Sequence, residues 1–500
     1  MWRILARRSF AQATITPRAT QLLINGKFQP ALSGKTMPVI NPATEQLITR
    51  VAEGDAADVN LAVDAARAAF DSGPWRRMSG EERGALIYKL AGLIEKNADE
   101  LATLESMDNG KPYFYSRNVD IPLTISTFRY YAGLADKIHG ETLPISGNIF
   151  GYLRKEPVGV AGQIIPWNFP LLMACWKLGP CLAAGCTSVL KPAEQTPLTA
   201  LRLGELIMEA GFPKGVVNVV SGNGETAGNA LVVNPKVDKI AFTGSTEVGK
   251  LIVRNSASHN LKRLTLELGG KSPNIIMDDA DIDAAIAQSQ FALFFNQGQC
   301  CIAGSRLYVH ARIYDLFVER AVAAAKARKL GDPMAEGVEQ GPQVDREQQD
   351  KVLKYIEYGQ QQGARMLAGG HKWGKTGFYV EPTIFADCRD DMRIAKEEIF
   401  GPVMSIFKFD TIDEVIERAN NSNYGLGAGI MTKSIDNAMK LINGLRAGTV
   451  YVNCYDEFRN NTPFGGFKDS GIGRELGLEG VKNYLELKTV LIKTAPGTLP

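Results

Sequence analysis

The chain has 500 residues, of which 45% are hydrophobic and 22% are charged, and its formal net charge is +2. A chain of this length is predicted to contain about three domains or subdomains, and it can bury a large core without disulfides or a metal. The nearly neutral charge argues against nucleic-acid binding, and seven cysteines are too few for a disulfide framework.

Residues 1–20 are basic and contain no acidic residue, since the first acid of the chain is Glu45. Trp2, Leu5 and Phe10 would share one face of a helix, opposite the arginines. A basic, amphipathic, Ser/Thr-bearing segment is typical of a mitochondrial presequence, which predicts a location in the mitochondrial matrix. The alternative is a disordered basic tail on a cytoplasmic enzyme. The arginines are Arg3, Arg7, Arg8 and Arg18.

Apolar periodicity predicts helices over residues 56–70 and 81–104. Between the helical segments lie short runs that are apolar throughout, which is typical of parallel strands covered on both faces. The pattern predicts an α/β protein with doubly wound sheets. The runs are 158–165, 187–190, 216–220, 239–242 and 274–277, and a second series after residue 270 includes 305–309, 403–409 and 449–452.

Residues 170–190 are the stretch that most suggests a membrane span. Lys177 lies near the middle of this stretch, and Pro180 follows it closely. A spanning helix requires about 20 apolar residues and tolerates a central lysine poorly. We therefore predict a buried helix followed by a buried strand, and no membrane span.

A stiff turn with the sequence IIPWNFP follows the first of the predicted strands. Pro166 and Pro170 restrict its backbone, so the amide of Asn168 could be held as an N–H donor for a developing oxyanion. The alternative is that Asn168 caps the following helix. After the next strand, Lys191 and Glu194 could bind ribose hydroxyls, or they could form an ordinary surface ion pair.

Two glycine-rich turns follow two more predicted strands. GNGETAG contains Gly224, and TGSTEVGK contains Gly244, Ser245 and Gly249. Free backbone N–H groups and a helix dipole meet at such a turn, which suits a phosphate. Leu251 stands where a P-loop carries its Mg²⁺-binding Ser or Thr, and neither turn is GxGxxG, so each alone could be an ordinary connection. Together they indicate a nucleotide crevice.

Two later segments contain groups for covalent chemistry. Glu267 lies in the apolar run TLELGG, where burial would raise its pKa towards the range of a general base; alternatively, backbone N–H groups or a buried cation satisfy it. Cys300 and Cys301 lie in FFNQGQCCIAGSR, where a thiol could be a nucleophile; alternatively, both are buried as small hydrophobes. No histidine has metal-ligand spacing, so no metal site is expected.

The C-terminal run 484–493, YLELKTVLIK, predicts a strand. Because the chain ends there, this strand must pair with a distant segment. Pairing with a partner subunit is one hypothesis.

Together these segments resemble the NAD(P)-dependent aldehyde dehydrogenase superfamily, over about Leu22 to Thr494. LELGGKSPNII resembles the family's glutamate signature, and FFNQGQCCIAGSR resembles its cysteine signature. PWNFP, KPAEQTP, FTGSTEVG, EEIFGPV and PFGGFKDSG match other family blocks in the family order. The sequence is most similar to the class that includes mitochondrial and cytosolic aldehyde dehydrogenases and retinal dehydrogenases.

The resemblance implies an α/β fold with a Rossmann-type cofactor domain, an α/β catalytic domain and a small β oligomerisation segment. It implies a homotetramer of chains that bind a small aldehyde and neither nucleic acid nor a membrane. The implied segments are a presequence over 1–20, an NAD-binding domain over 21–140 and 158–270, a catalytic domain over 271–470, and oligomerisation strands over 141–157 and 484–495.

The resemblance also implies roles for single residues. Cys301 matches the family's nucleophile, Glu267 its general base and Asn168 its oxyanion donor. Glu194 favours NAD over NADP, because a carboxylate near the ribose 2′ position would repel a 2′-phosphate. The residues implied in NAD binding are Trp167, Lys191, Glu194, Gly224, Gly244, Ser245, Gly249, Glu398 and Phe400.

The implied reaction oxidises an aldehyde to a carboxylic acid through a thiohemiacetal and a thioester on Cys301, with Glu267 activating the hydrolytic water. Bulky apolar side chains match the family's substrate tunnel, which suggests aliphatic or aromatic aldehydes; plain core packing is the alternative. These tunnel residues are Phe169, Leu172, Trp176, Phe295, Phe458 and Phe464.

Three other functions fit the same pattern less well. The chain could be a relative specialised for one aldehyde, such as betaine aldehyde or a semialdehyde. It could be a non-enzymatic binding protein, or an acylating enzyme that passes the thioester to coenzyme A. The intact Cys301, Glu267 and Asn168 argue against a non-enzymatic role. Glu267 also argues against acylation of coenzyme A, because a base that activates water serves hydrolysis.

Overall fold

The computed structural model describes residues 15–497, and within this range the strands form four sheets. Residues 1–14 of the predicted presequence therefore lie outside the described residues. The fold is the α/β architecture that the alternating apolar runs predict.

The first sheet has a parallel centre whose strands are mostly buried. The first parallel strand along the chain is Val160–Ile164, and the next two, Thr187–Lys191 and Val217–Val219, lie on one side of it. The chain then returns to the other side, where it adds Lys239–Thr243 and Arg263–Glu267. Antiparallel strands extend both edges. They are Gly471–Ile472 beside Arg263–Glu267, and Leu22–Ile24 followed by Lys27–Gln29 beside Val217–Val219.

The order of the first sheet reverses between Val160–Ile164 and Lys239–Thr243. Chains leaving two such neighbouring strands diverge, and they open a crevice at the carboxyl ends of the strands. The register pairs Ile164 with Phe242 and Thr243 with Glu267, so these strand ends lie along one edge. The stiff turn, a glycine-rich turn and Glu267 therefore emerge on the same side of the molecule.

The second sheet begins a few residues after Glu267. Its strands are parallel except for Arg365–Ala368 at one edge. Because Arg263–Glu267 belongs to the first sheet and Pro273–Ile276 to the second, the connection between them lies where the sheets meet. The spatial order is Arg365–Ala368, Thr383–Ala386, Val403–Phe409, Arg306–His310, Pro273–Ile276, Gly427–Met431 and Thr449–Val452.

The predicted C-terminal strand is confirmed as Leu485–Lys493. It pairs antiparallel with Ile149–Pro157, which pairs with Glu141–Leu143, and together they form the third sheet. The long-range partner lies in the same chain, so the partner-subunit hypothesis is not needed for this pairing. A separate hairpin joins Thr36–Ile40 to Leu47–Ala52.

One predicted helix is wrong in its continuity. Residues 81–104 form two helices, Gly80–Lys96 and Ala98–Asn109, because the chain turns at Asn97. Asn97 leaves the helical conformation with φ −105° and ψ 21°, and its side chain donates to the carbonyl oxygen of Leu93 at 2.8 Å. The apolar period continues across the break, so the pattern could not reveal it.

The buried helix and strand predicted over residues 170–190 are confirmed as Pro170–Ala184 and Thr187–Lys191. No helix among residues 15–497 has the length and apolarity needed to cross a membrane. The remaining α-helices are Ala56–Asp71, Tyr113–Tyr115, Ile121–Leu134, Leu198–Ala210, Asn229–Val233, Thr246–Ser256, Ile282–Phe294, Tyr314–Ala327, Arg346–Gln361, Arg393–Lys396, Ile412–Asn420, Ile435–Gly444 and Gly477–Lys482.

Candidate active site

The connection between the two large sheets carries the predicted base. Glu267 is the last residue of its strand, and glycines follow it. A side chain at Gly270 would lie 2.4 Å from the carbonyl oxygen of Cys301, and one at Gly269 would lie 2.1 Å from a carboxylate oxygen of Glu398. These glycines therefore let the cysteine segment and Glu398 approach the strand end closely.

The cysteine loop, residues 295–301, folds back sharply after the helix Ile282–Phe294. Asn296, Gln297 and Gly298 have φ angles of 48°, 59° and 73°, so three successive residues lie in the left-handed region. Cys300 is buried at 6% exposure, whereas Cys301 is partly exposed. The two adjacent cysteine residues therefore differ in exposure, which the sequence could not show.

Glu267 is a buried carboxyl whose Oε1 has no hydrogen-bond partner. Burial raises the pKa of this carboxyl well above its ordinary value, and the neighbouring carboxyl of Glu475 raises it further. The Lys177 ammonium and a hydrogen bond with the Cys301 thiol lower the pKa to a smaller extent. The orphaned oxygen argues against the alternative of a fully satisfied buried carboxylate.

The Cys301 thiol interacts with both Cys300 and Glu267. Its hydrogen bond with Cys300 and its burial both raise the pKa of the thiol well above the usual range, and the charge of Glu267 adds to this. A thiol in such surroundings is protonated near neutral pH, so it needs a base to become a nucleophile. The adjacent Glu267 carboxyl is a group that can accept that proton.

Asn168 does not cap the helix that follows it, so that alternative is wrong. The N-cap residue is Phe169, and no side chain caps this helix. The Asn168 Nδ2 group instead donates to the carbonyl oxygen of Gln299 at 3.1 Å. Since Gln299 precedes Cys301 by two residues, the amide of Asn168 contacts the loop that carries the thiol.

Lys191 and Glu194 lie at the carboxyl edge of the first sheet. Lys191 is buried, and its Nζ donates to the carbonyl oxygens of Pro192 and Gly222 at 2.7 Å each. Glu194 accepts a hydrogen bond from the Gly224 N–H and lies 3.4 Å from Lys191. The buried lysine argues against an ordinary surface ion pair, and the partly exposed carboxylate faces the crevice side.

The second glycine-rich turn begins a helix. Ser245 is the N-cap of Thr246–Ser256, and its hydroxyl accepts from the Val248 N–H at 3.2 Å. The Gly244 N–H donates to the carbonyl oxygen of Glu267 at 3.1 Å, which ties this turn to the base. Gly249 is buried, and a side chain there would lie 2.7 Å from Leu268. Gly249 thus permits close helix packing.

Glu398 and Phe400, which are predicted to hold the nicotinamide ribose, contact Gly270 and Trp167, respectively. Glu398 accepts a hydrogen bond from the Gly270 N–H at 3.1 Å, and burial raises the pKa of its carboxyl to about 7. The Phe400 ring lies edge-on to Trp167 with the ring centroids 5.1 Å apart. Phe400 therefore lies at the turn that carries Asn168, and Glu398 lies at the glycines that follow Glu267.

The predicted tunnel residues form two aromatic groups. Phe169 stacks on Phe295 with the ring centroids 5.9 Å apart. Trp176, Phe458 and Phe464 contact one another with centroid distances of 5.4 to 5.9 Å. Most of these rings are buried, so their contacts fit both a tunnel wall and core packing. Leu172 is buried as well.

Residues 28–490 match the model of the aldehyde dehydrogenase family. The chain is 59% identical over 474 residues to the mitochondrial aldehyde dehydrogenase of Rattus norvegicus, covering 95% of this chain and 91% of that protein. It is 56% identical over 475 residues to aldehyde dehydrogenase 1A1 of Gallus gallus, covering 95% and 93%. It superposes on the NAD⁺ complex of a Bacillus cereus aldehyde dehydrogenase with a TM-score of 0.95 at 52% identity, covering 96% and 98%.

The chain belongs to the aldehyde dehydrogenase family. The family reaction is the oxidation of an aldehyde to a carboxylic acid, and the predictions of fold class and enzyme class are confirmed. Within residues 15–497, no group of three or more His, Cys, Asp or Glu side chains is arranged to hold a metal ion.

Sequence reasoning missed two charged residues of this aldehyde dehydrogenase site. Lys177, in the apolar helix Pro170–Ala184, is fully buried. Its Nζ contacts Glu475 and donates to the Thr243 hydroxyl at 2.5 Å. Lys177 and Glu475 oppose each other in setting the pKa of Glu267. A lysine in an apolar helix was the available signal, because a buried ammonium requires a partner.

Proposed function

We propose that this chain is an NAD-dependent aldehyde dehydrogenase in which Cys301 is the nucleophile, Glu267 the general base and Asn168 the oxyanion donor. One observation carries the proposal: Cys301, the more exposed of the two adjacent cysteines, lies close enough to the buried Glu267 carboxyl for each group to shift the pKa of the other. This pairing of nucleophile and base is what thioester chemistry requires.

The crevice of the first sheet fits NAD. The first turn of the helix Thr246–Ser256 offers backbone N–H groups to a pyrophosphate. The Glu194 carboxylate, held near Lys191 and Gly224, can accept hydrogen bonds from ribose hydroxyls and would repel a 2′-phosphate. Glu398 and Phe400 are candidates for holding the nicotinamide ribose. When bound, NAD supplies the acceptor for the hydride that leaves the substrate carbon.

The first chemical task of the chain is to make the thiol nucleophilic. Because the pKa of the Cys301 thiol is raised, its proton must pass to a base, and Glu267 is in contact with it. The sulfur then forms a bond to the aldehyde carbon, and the carbonyl oxygen takes the electron pair. The Asn168 Nδ2 group and the Cys301 backbone N–H would stabilise that oxyanion.

The second task is to release the acid from the thioester. Glu267 first releases the thiol proton to solvent; it then takes a proton from water, and the resulting hydroxide adds to the thioester carbon. The carbon–sulfur bond breaks, the Cys301 sulfur regains a proton, and the carboxylic acid leaves. The raised pKa of Glu267 makes it a stronger base than an exposed carboxylate, while the Lys177 ammonium keeps its ionised form accessible.

The sharpest test compares the adjacent cysteines. We expect Cys301→Ala to lower NADH formation from short aldehydes by at least about a thousandfold. Cys300→Ala should retain most of the activity, because Cys300 is buried and forms no bond to the substrate in the proposed reaction. Initial rates of NADH absorbance for both variants measure this. The opposite pattern would transfer the nucleophile to Cys300.

The aromatic residues of the tunnel support apolar aldehydes, aliphatic or aromatic, as the substrate class. Phe169, Trp176, Phe295, Phe458 and Phe464 offer apolar surface for a substrate tail. A panel of aldehydes, run with NAD and NADP in parallel, tests this proposal. A strong preference for betaine aldehyde or a semialdehyde would contradict it.

We propose a homotetramer on the strength of exposed apolar surface. Leu487, Leu491 and Ile492 are exposed on the edge strand of the third sheet, and Val248 and Leu251 are exposed on the helix Thr246–Ser256. Exposed apolar groups of this kind mark protein–protein contacts, and an unpaired strand edge favours pairing between subunits. The molar mass from light scattering should be about four times that of the chain, and a monomer mass would refute the assembly.

We propose the mitochondrial matrix as the location. The relative from Rattus norvegicus is named mitochondrial, and residues 1–20 of this chain have the basic, acid-free composition of a presequence. Residues 1–20 fused to a fluorescent reporter should direct it to mitochondria. A diffuse cytoplasmic signal would support the cytoplasmic alternative.

A further inference from the structure

We infer that Asn296 is a positioning residue that fixes the amide of Asn168 relative to the Cys301 thiol. The inference rests on the role of Asn168 in the proposed function and adds to it the residue that sets the geometry of the donor. It concerns the junction between the cysteine loop, residues 295–301, and the asparagine turn, residues 166–169.

The junction is a small ring of hydrogen bonds between the two segments. Asn296 Nδ2 donates to the carbonyl oxygen of Asn168 at 3.0 Å and to that of Gln299 at 3.1 Å. The Asn168 side chain donates to the same carbonyl oxygen of Gln299 at 3.1 Å. Both the backbone carbonyl group and the side-chain amide of Asn168 are therefore hydrogen-bonded to the loop that carries the nucleophile.

A second asparagine holds the turn from the opposite side. Asn109, at the end of the helix Ala98–Asn109, donates through Nδ2 to the carbonyl oxygens of Trp167 at 2.7 Å and Asn168 at 3.3 Å. Its Oδ1 accepts a hydrogen bond from the Lys111 N–H at 3.1 Å. The carbonyl group of Asn168 thus lies between two buried amide donors that belong to different parts of the chain.

The hydrogen bond to Gln299 also sets the direction of the Asn168 amide. A side-chain amide carries two N–H donors, and one of them is used on Gln299. The second is left for an oxyanion on the substrate, at an angle fixed by the first. Errors of about 1 Å in such a donor cost about a hundredfold in rate, so the residue that holds the ring together has a measurable catalytic consequence.

The backbone explains why an asparagine occupies position 296. Its φ angle of 48° lies in the left-handed region, which asparagine adopts more readily than most residues. The next residue, Gln297, has a similar φ of 59° and is also buried, but its side chain reaches the carbonyl oxygen of Pro342 at 3.4 Å. Gln297 therefore offers a matched control in the same loop.

The test compares Asn296→Gly with Gln297→Gly. Glycine tolerates both backbone conformations, so each variant removes a side chain without forcing the loop to change. We expect Asn296→Gly to lower kcat/KM for the aldehyde by about tenfold to a hundredfold, with KM for NAD within about twofold of wild type. Gln297→Gly should stay within about twofold in both parameters. Equal losses in both variants would overturn the inference.

A double-variant cycle separates positioning from a general structural effect. In an Asn168→Ala background there is no side-chain amide left for Asn296 to position, so adding Asn296→Gly should cost less than about threefold more. A full multiplicative loss in that background would overturn the inference. If Asn168→Ala itself keeps wild-type kcat/KM, the proposed oxyanion role fails; if Asn168→Ala is impaired and Asn296→Gly is not, the positioning role alone fails.

Thiol reactivity checks that Asn296 does not act through the cysteine instead. Alkylation of Cys301 by iodoacetamide needs no oxyanion donor, so its rate in Asn296→Gly should lie within about threefold of wild type. A fall as large as the fall in kcat/KM would overturn the inference. If Asn296→Gly does not yield folded enzyme, Asn296→Asp keeps the size, replaces the donor by an acceptor facing two carbonyl groups, and is expected to show the same loss.

Discussion

The nucleotide crevice and the thiol site lie on neighbouring strand ends but depend on different kinds of interaction. The crevice presents backbone N–H groups, a capped helix start and a partly exposed carboxylate, each of which supplies a modest interaction at the solvent boundary. The thiol site contains buried titratable groups whose pKa values are strongly raised, and one of its carboxylate oxygens has no partner. Changes in the crevice should therefore alter affinity gradually, whereas changes at the thiol site should stop turnover.

The Gly244 N–H, which donates to the carbonyl oxygen of Glu267, connects the two regions. This backbone contact leaves the Glu267 side chain free for chemistry. Substitutions of side chains on either side should therefore act separately, which the following predictions test in order of expected effect.

Glu267→Gln should give the largest difference between the effect on turnover and the effect on NAD binding. The amide cannot take a proton from the thiol or from water, so kcat should fall by at least about a hundredfold, while the dissociation constant for NAD stays within about twofold. Steady-state kinetics and a fluorescence titration with NAD measure the two quantities. Turnover close to wild type would remove Glu267 as the base.

The pH dependence of kcat should follow the same carboxyl. Burial raises the pKa of Glu267 well above the ordinary carboxyl range, so the basic form is lost as pH falls through that raised pKa. We expect kcat to rise with pH by up to about tenfold per unit below that pKa. A profile that is flat from pH 6 upwards would indicate an ordinary carboxyl pKa.

Glu398 provides the control for this profile, because burial also raises the pKa of its carboxyl, in this case to about 7. Glu398→Gln should keep the rise of kcat with pH, and Glu267→Gln should lose it. If Glu398→Gln alone abolished the rise, the titrating group would be Glu398.

Glu194→Gln should have the smallest effect. It keeps a hydrogen-bonding side chain near Lys191 but removes the charge that would repel a 2′-phosphate. We expect KM for NAD to rise a few-fold, which corresponds to a loss of about 1 kcal/mol of binding free energy. The preference for NAD over NADP should decrease, and kcat should be nearly unchanged. Parallel assays with both cofactors measure this, and a large fall in kcat would show that the crevice and the thiol site are not separable.

Several of the buried parallel strands could be predicted from the sequence, because continuous apolar runs bounded by turns are local features. The runs predicted at 187–190, 239–242 and 403–409 correspond to strands with nearly the same ends. The break at Asn97 could not be predicted, because it lies within an unbroken apolar period. The pairing of the C-terminal strand with Ile149–Pro157 joins segments too far apart for any local pattern to indicate.

The candidate site divides in the same way. The sequence by itself determined the chemical groups: a thiol between glycines, a carboxyl in an apolar strand and an amide in a proline-stiffened turn. Only the tertiary structure decided which of the two cysteines is the more exposed, that Lys177 and Glu475 oppose each other in setting the pKa of Glu267, and that Asn296 binds Asn168. The physical reason is that burial and charge–charge interactions depend on distance in space, and these groups come from segments remote from one another along the chain.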